Sequence, residues 1–343
     1  MHSCSWYNSI ISRLRLTTER IFHIEANLSF KFNGKGVKEM SLEWYDMCYK
    51  SKLTELNGTS FEVFFQEVMV QIHKENFTNA MPWGRLGDRG NDGYLIAEKA
   101  LFQCYSPYET KAAETIKKIT ADFEKSKQYW GNHINKWVLM LGGPRVVNDV
   151  PTSVLKHLLD LKEQYKDRIV IEWWSTELLK TKVLGLTEEK LSLLFKRPPS
   201  TEKISSIRVE DIEPVLNQLK GISLMMPPIL EEDLTPVPIN KIQINKLNDA
   251  AEGLIKSGSK QAALIDKYIE LSGDDNEFIE LATKVNAEYR NLKSEYPHDP
   301  NVIFMKLLTY TRYDQATSDK DQAVYLTILA YLFTSCSIFE REL

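Results

Sequence analysis

The sequence predicts an α/β domain built on a small mixed sheet, followed by an all-α domain. Three observations carry that prediction. Between residues 41 and 183, apolar positions of helical period alternate with short continuous apolar runs. Prolines then punctuate residues 197–240, at 198, 199, 214, 227, 228, 236 and 238. Beyond 240 the spacing is helical and strand signals are few.

The elements follow in order. Ser41–Leu56 reads as a short helix, and Gly58 breaks it. Thr59–Asn76 is apolar at Phe61, Phe64, Phe65, Val68, Met69 and Ile72, an amphipathic helix facing a core. Residues 81–93 are turn-rich. Tyr94–Ile96 and Leu101–Tyr105 read as two short strands flanking a turn. Thr110–Lys127 is a second amphipathic helix, and Trp137–Leu141 a buried strand. Thr152–Tyr165 is a helix and Ile169–Trp173 a strand, after which Ser175 caps a helix to about Val183. Residues 200–234 carry three basic against seven acidic residues, so 197–239 reads as an acidic, partly extended connector. Five helices are expected after it: Asn240–Ser257, Ser259–Leu271, Asn276–Tyr296, Pro300–Tyr313 and Asp319–Cys336.

Composition excludes several classes. The 343 residues are 43% hydrophobic and 26% charged, which argues against disorder or low complexity. A net charge of -4 shows no global basic excess, so any nucleic-acid contact must be local. Cys4, Cys48, Cys104 and Cys336 are scattered, which fits neither a disulfide framework nor a zinc knuckle and suggests a reducing cytoplasm. No apolar run is long enough to span a membrane.

Residues 1–40 stand apart. Positions 1–39 hold six basic and three acidic residues with irregular apolar spacing. Codons for Lys35-Gly36 resemble a bacterial ribosome-binding site at the usual distance before Met40. Two readings are open: a start at Met40, or a genuine N-terminal arm. The expected organisation is therefore 1–40 extension, 41–196 α/β domain, 197–239 connector and 240–343 helical domain.

The chemistry-bearing stretch is Phe61-Glu62, then Gly87-Asp88-Arg89-Gly90-Asn91-Asp92-Gly93, then Phe102-Gln103-Cys104-Tyr105. Phosphodiester cleavage calls for a hard divalent cation held by oxygen ligands beside the phosphate. Asp92 at the head of one strand and Gln103 near the end of the next can meet across a hairpin. With the Cys104 carbonyl they offer three oxygens to one Mg²⁺ or Mn²⁺, and Glu62 can reach the same ion directly or through water. Gly87, Gly90 and Gly93 give the loop freedom to approach a phosphate. Arg85 and Arg89 flank it as candidate DNA contacts.

This layout resembles the Mrr-like branch of the restriction-endonuclease-like, or PD-(D/E)xK, superfamily. There F-E in a first helix precedes G-D-x-G-x-D-G and then Q-x-K. The resemblance implies a restriction-endonuclease-like fold, a Mg²⁺-dependent deoxyribonuclease, and catalytic roles for Glu62, Asp92, Gln103 and Tyr105. Tyr105 stands where Lys is expected. Lys111 is the best-placed substitute cation, and Lys117 and Lys118 are further candidates to contact DNA. A subgroup with the form FQxYxP, here Phe102 to Pro107, carries the same Tyr.

Each residue also has a plainly structural reading. Glu62 would close a capping box begun by Thr59. Asp88 and Asp92 suit turns. Gln103 in an apolar strand needs either a ligand or a hydrogen-bonded network. Tyr105 would be a packing residue, and Lys111, Arg85 and Arg89 solvated surface. His73, His133, His157 and His298 lack metal spacing, and Trp83, Trp130, Trp137, Trp173 and Trp174 suit a core.

The closing segment Ala323–Glu340 is similar to the helical C-terminal domain of effector subunits of ABC-three-component and Lamassu-type bacterial defence systems. The apolar 326–339 stripe is either internal core or a partner-binding face. Together the two resemblances imply a DNA endonuclease effector of an anti-phage or anti-plasmid complex. Its partners would be an SMC-like or ABC-type ATPase and a small accessory subunit, and it would act as a homo-oligomer. The alternatives are a non-catalytic DNA-binding or scaffold subunit, and an RNase.

Overall fold

A computed structural model describes residues 37–79, 91–108, 111–143, 150–219, 240–272, 275–311, 313–335 and 338–340. The chain forms two compact units, one of residues 48–196 and one of residues 1–47 with 197–343. The division falls inside the first helix, α1 (Val37–Leu53). The choice between a start at Met40 and an N-terminal arm concerns residues that lie almost wholly outside the described ones.

In the unit 48–196, α2 (Gly58–His73) is followed by β1 (Phe77–Thr78), β2 (Gly93–Leu95) and β3 (Ala100–Tyr105). Then come α3 (Ala112–Trp130), β4 (Lys136–Leu141), α4 (Thr152–Tyr165), β5 (Val170–Trp174), α5 (Thr176–Leu184) and α6 (Glu188–Leu194). The five strands form one sheet in sequence order. β1, β2 and β3 pair antiparallel, whereas β3, β4 and β5 pair parallel. This is the small mixed sheet expected. The change of direction has a chemical origin: a short turn joins β2 to β3, whereas β3–β4 and β4–β5 each need a crossover, supplied by α3 and α4.

Two apolar layers hold the sheet. Leu101, Trp137, Leu139 and Ile171 pack with Ile119 and Phe123 of α3 and with Val154, Leu158 and Leu161 of α4. Through α2, Phe65 packs against Phe77, Phe102 and Trp174. Ser175 accepts the Leu178 N–H and caps α5, as the sequence predicts. The α2 helix ends at His73, earlier than its apolar pattern suggests, because Lys74 turns to a φ of 51°. β1 and α6 have no counterpart in the expected elements.

In the other unit, Glu43 on α1 accepts the Ala250 N–H, and Trp44 meets Tyr313 edge-on. Residues 41–47, grouped by sequence with the α/β domain, therefore pack with residues 197–343. The first half of the expected connector is not extended. It contains α7 (Thr201–Ser205), a 3₁₀ turn (Val209–Asp211) and α8 (Ile212–Leu219). The reason is an apolar pattern hidden among the charges: Ile204, Ile207, Ile212, Val215, Leu216 and Leu219 are all buried. Residues 220–239 lie outside the described residues.

The helices α9 (Lys241–Ile244), α10 (Asp249–Ser259), α11 (Ala262–Ser272), α12 (Asp275–Glu295), α13 (Pro300–Tyr310) and α14 (Asp319–Thr334) complete this unit. One expected helix over 240–257 is thus two. Lys246 takes a φ of 52°, and Asn248 then caps α10 by accepting the Ala251 N–H. Residues 323–333 of α14 are buried all round, so this part of the apolar stripe is internal core. Gly258 permits the close approach of α10 to α14, since a Cβ there would lie 2.7 Å from the Ala330 Cβ.

Candidate metal centre at the end of the sheet

Four of the residues singled out in sequence converge where β2 enters the sheet. Gly93 pairs with Phe102, and the Asp92 N–H donates to the Phe102 carbonyl at 2.9 Å. That register sets Asp92 opposite Gln103. Both are buried, at 2% and 5% exposure. Asp92 Oδ2 accepts the Gln103 amide at 2.6 Å and the Cys104 N–H at 2.6 Å. Gln103 Nε2 lies 3.4 Å from the Cys104 carbonyl. The amide thus stands beside both of the other expected oxygens.

The remaining atom of that amide is the unusual one. Gln103 Oε1 is buried and has no hydrogen-bond partner. An unsatisfied buried acceptor costs about 1–3 kcal/mol. The amide nitrogen faces the carboxylate because two oxygens at that separation would repel. A bound cation would favour the flipped amide, with oxygens of Gln103 and Asp92 both available as ligands.

Glu62 approaches from α2. The expected capping box through Thr59 and Glu62 does not form: Asn57 is the N-cap, and Ser60 Oγ accepts the Asn57 N–H at 3.0 Å. Glu62 instead lies in the second turn, where Oε1 accepts the Gln66 amide at 3.2 Å. The same Gln66 nitrogen donates to the Asp92 carbonyl at 2.8 Å. The Cys104 thiol is held well above its ordinary pKa, first by burial and then by the charges of Asp92 and Glu62.

The other expected residues are placed differently. Tyr105 is half-buried and packs against the apolar layer beneath α3 and α4. Lys111 precedes α3 with an exposed side chain whose ion pair is to Glu114 at 3.6 Å. Lys117 is exposed, and Lys118 pairs with the buried Asp122 at 2.7 Å. None of these lysines is joined to Asp92 or Gln103 by a described contact. Arg85, Gly87, Asp88, Arg89 and Gly90 lie outside the described residues. Gly93 has a reason to be glycine that the loop argument misses: a Cβ there would lie 2.3 Å from the Phe77 ring. His157 Nε2 meets Thr120 Oγ1 at 2.9 Å.

Gln66 was not visible in sequence as a site residue. A glutamine one turn beyond a candidate glutamate, i and i+4, is the signal that could have found it.

Among the described residues, no group of three or more His, Cys, Asp and Glu side chains could hold a metal ion. The candidate set is of another kind: two carboxylates, one amide oxygen and one backbone carbonyl. All are hard oxygen donors of the type Mg²⁺ takes. The orphaned Gln103 oxygen is the observation that makes the set fit. Among the described residues there is also no helix long and apolar enough to cross a membrane. Cys48 and Cys104 are both free thiols.

Residues 210–340 match the family model for C-terminal domain 10 of the ABC-three component (ABC-3C) systems. Comparisons with curated proteins and with solved structures each gave no match. The domain match supports the expected association with such a multi-component defence system. It covers α8 to α14 and leaves the Asp92–Gln103 site outside it.

Proposed function

We propose that this chain, carrying an ABC-3C C-terminal domain, is the metal-dependent DNA endonuclease effector of its system, hydrolysing phosphodiester bonds when a partner ATPase activates it. The observation that carries this reading is the buried Asp92–Gln103 pair with its unpartnered amide oxygen, beside the Cys104 carbonyl and Glu62. A buried acceptor without a protein partner, next to a buried carboxylate, is available to a cation ligand.

Asp92, Gln103, the Cys104 carbonyl and Glu62 would hold Mg²⁺ or Mn²⁺. When bound, the ion supplies Lewis-acid polarisation of the phosphate and a lowered pKa for an attacking water. The protein's own groups do the rest. The Cys104 N–H fixes Asp92 Oδ2, and the sheet register fixes Asp92 against Gln103. Burial of the pair excludes bulk water and strengthens its electrostatics. Lys111 and Tyr105 are the candidates to orient water or phosphate. The helical domain docks the effector to an SMC-like or ABC-type ATPase and a small accessory subunit, and double-strand cutting draws on a homo-oligomer.

The second reading is a non-catalytic DNA-binding or scaffold subunit. It is favoured by Tyr105 at the basic position, packed into the apolar layer, and by the pairing of Lys111 and Lys118 with Glu114 and Asp122. Plasmid cleavage separates the two. Mg²⁺-dependent cutting lost in Asp92→Ala supports the nuclease. DNA binding without nicking, even with the neighbouring operon products present, supports the scaffold.

A further inference from the structure

We infer that Gln66 is a positioning residue of this site, tying the Glu62 carboxylate on α2 to the Asp92 end of β2. The inference rests on the nuclease reading above and adds a residue that reading does not contain.

The geometry is specific. One amide nitrogen donates to Glu62 Oε1 at 3.2 Å and to the Asp92 carbonyl at 2.8 Å. The first partner is one helical turn away; the second is 26 residues away on the sheet. At its first residue α2 is tied to the end of β3 by the Gly58 N–H, which donates to the Ser106 carbonyl at 2.7 Å, and further along the helix the remaining described contacts with the sheet are through rings. Phe65 packs on Phe102 at 5.5 Å and Phe77 at 6.4 Å, and the Phe61 ring lies where a Cβ on Gly142 would be. Apolar contacts of this kind set the separation of helix and sheet but have no direction. They do not fix how far α2 rotates or slides over the strands. A hydrogen bond does, because its strength falls steeply with angle.

The residue type fits the task. A neutral amide offers two N–H donors and no charge. Lys or Arg in its place would link the same acceptors but cancel negative charge that a divalent cation needs. Ionised Glu would have no donor. Asn is one methylene shorter. Glutamine thus holds two anionic elements together and leaves the site acidic.

The test is Mn²⁺ binding to the full-length protein, followed by electron paramagnetic resonance of the free ion, with thermal melting recorded beside it. Wild type binds, and Asp92→Ala loses binding. Gln66→Met weakens binding roughly 10- to 100-fold, the range typical of groups that orient a metal ligand. In a Glu62→Ala background the same substitution adds less than about threefold, since its effect runs through the Glu62 carboxylate. Should Gln66→Met fail to fold, Gln66→Asn keeps the amide but not the span and shows the same weakening. Wild-type affinity in the folded Gln66 variant overturns the inference and leaves the metal site standing. Equal losses in both backgrounds overturn it too, because they reveal general upkeep of the fold. A wild type that binds no Mn²⁺, or is indifferent to Asp92→Ala, overturns the metal-site reading and this inference with it.

Discussion

Replacing Gly93 by alanine places one carbon where a ring already stands. The new Cβ would lie 2.3 Å from Phe77 Cζ and 2.6 Å from Cε2. Carbon contacts settle at about 3.5–4.0 Å, so the ring must withdraw by more than about 1 Å. It has little room to do so. Phe77 is 5% exposed and stands edge-on to Phe65 and Phe102, which are 0% and 1% exposed. Gly93 is not in the left-handed region, so alanine meets no backbone strain there. Overpacking of this kind costs about 1–3 kcal/mol. The loss of chain freedom in the unfolded state returns about 0.4–1 kcal/mol. The net expectation is a destabilisation of about 1–2 kcal/mol by urea unfolding. Phe77→Leu relieves the clash, so the double variant is more stable than the sum of the singles by about 1 kcal/mol. Asp92 adjoins Gly93, so Mn²⁺ affinity falls in the single variant and recovers in the double. A Gly93→Ala protein as stable as wild type, or strict additivity, would refute the packing argument.

Three further expectations follow from other sites. Gln103→Met removes a charge-assisted bond to Asp92, worth about 1.5–3 kcal/mol, together with a buried orphan oxygen that costs about 1–3 kcal/mol. Stability therefore changes by no more than about 2 kcal/mol in denaturant titration while Mn²⁺ binding is lost; a larger destabilisation with binding intact would show a structural glutamine. Lys241→Met strips the Phe333 and Ile338 carbonyls of a buried ammonium at 2.6 Å from each, and each buried carbonyl left without a donor costs about 1–3 kcal/mol. Limited proteolysis should then cut more readily near Phe333 and Ile338, and unchanged resistance there would count against a stabilising role for the Lys241 ammonium. His73 has its pKa held below 6.5, first by burial and also by Lys182, with Glu98 opposing. A depressed histidine pKa stabilises the fold above pH 6.5, and that stability is lost as pH falls through the folded value. His73→Gln should flatten the stability profile just below pH 6.5, and an unaltered slope would assign it elsewhere.

How much was legible in the sequence depended on the kind of signal. The strands Trp137–Leu141 and Ile169–Trp173 were readable because buried parallel strands are continuous apolar runs, and they appear as Lys136–Leu141 and Val170–Trp174. β1 has two residues, too few for any periodicity. Helices between 201 and 219 were obscured by acidic residues and Pro214, although every inward position is aliphatic. The apolar stripe of α14 could equally have been core or docking face, since burial all round depends on neighbours from five other helices among the described residues rather than on its own spacing. At the site, the Asp92–Gln103 pairing followed from hairpin register. The Glu62 environment did not, because Asn57 and Ser60 took over the capping that sequence assigned to Thr59. Gln66 escaped notice because its second partner is a backbone carbonyl 26 residues away.

The central claim is tested most directly by cleavage of supercoiled plasmid. Full-length protein, with the products of its neighbouring operon genes, is assayed in Mg²⁺, in Mn²⁺ and in EDTA, beside Asp92→Ala. The account predicts linear or degraded DNA with either ion, none with EDTA, and none from the variant. Cleavage by Asp92→Ala equal to wild type, or an intact plasmid under every condition with all partners present, would contradict it.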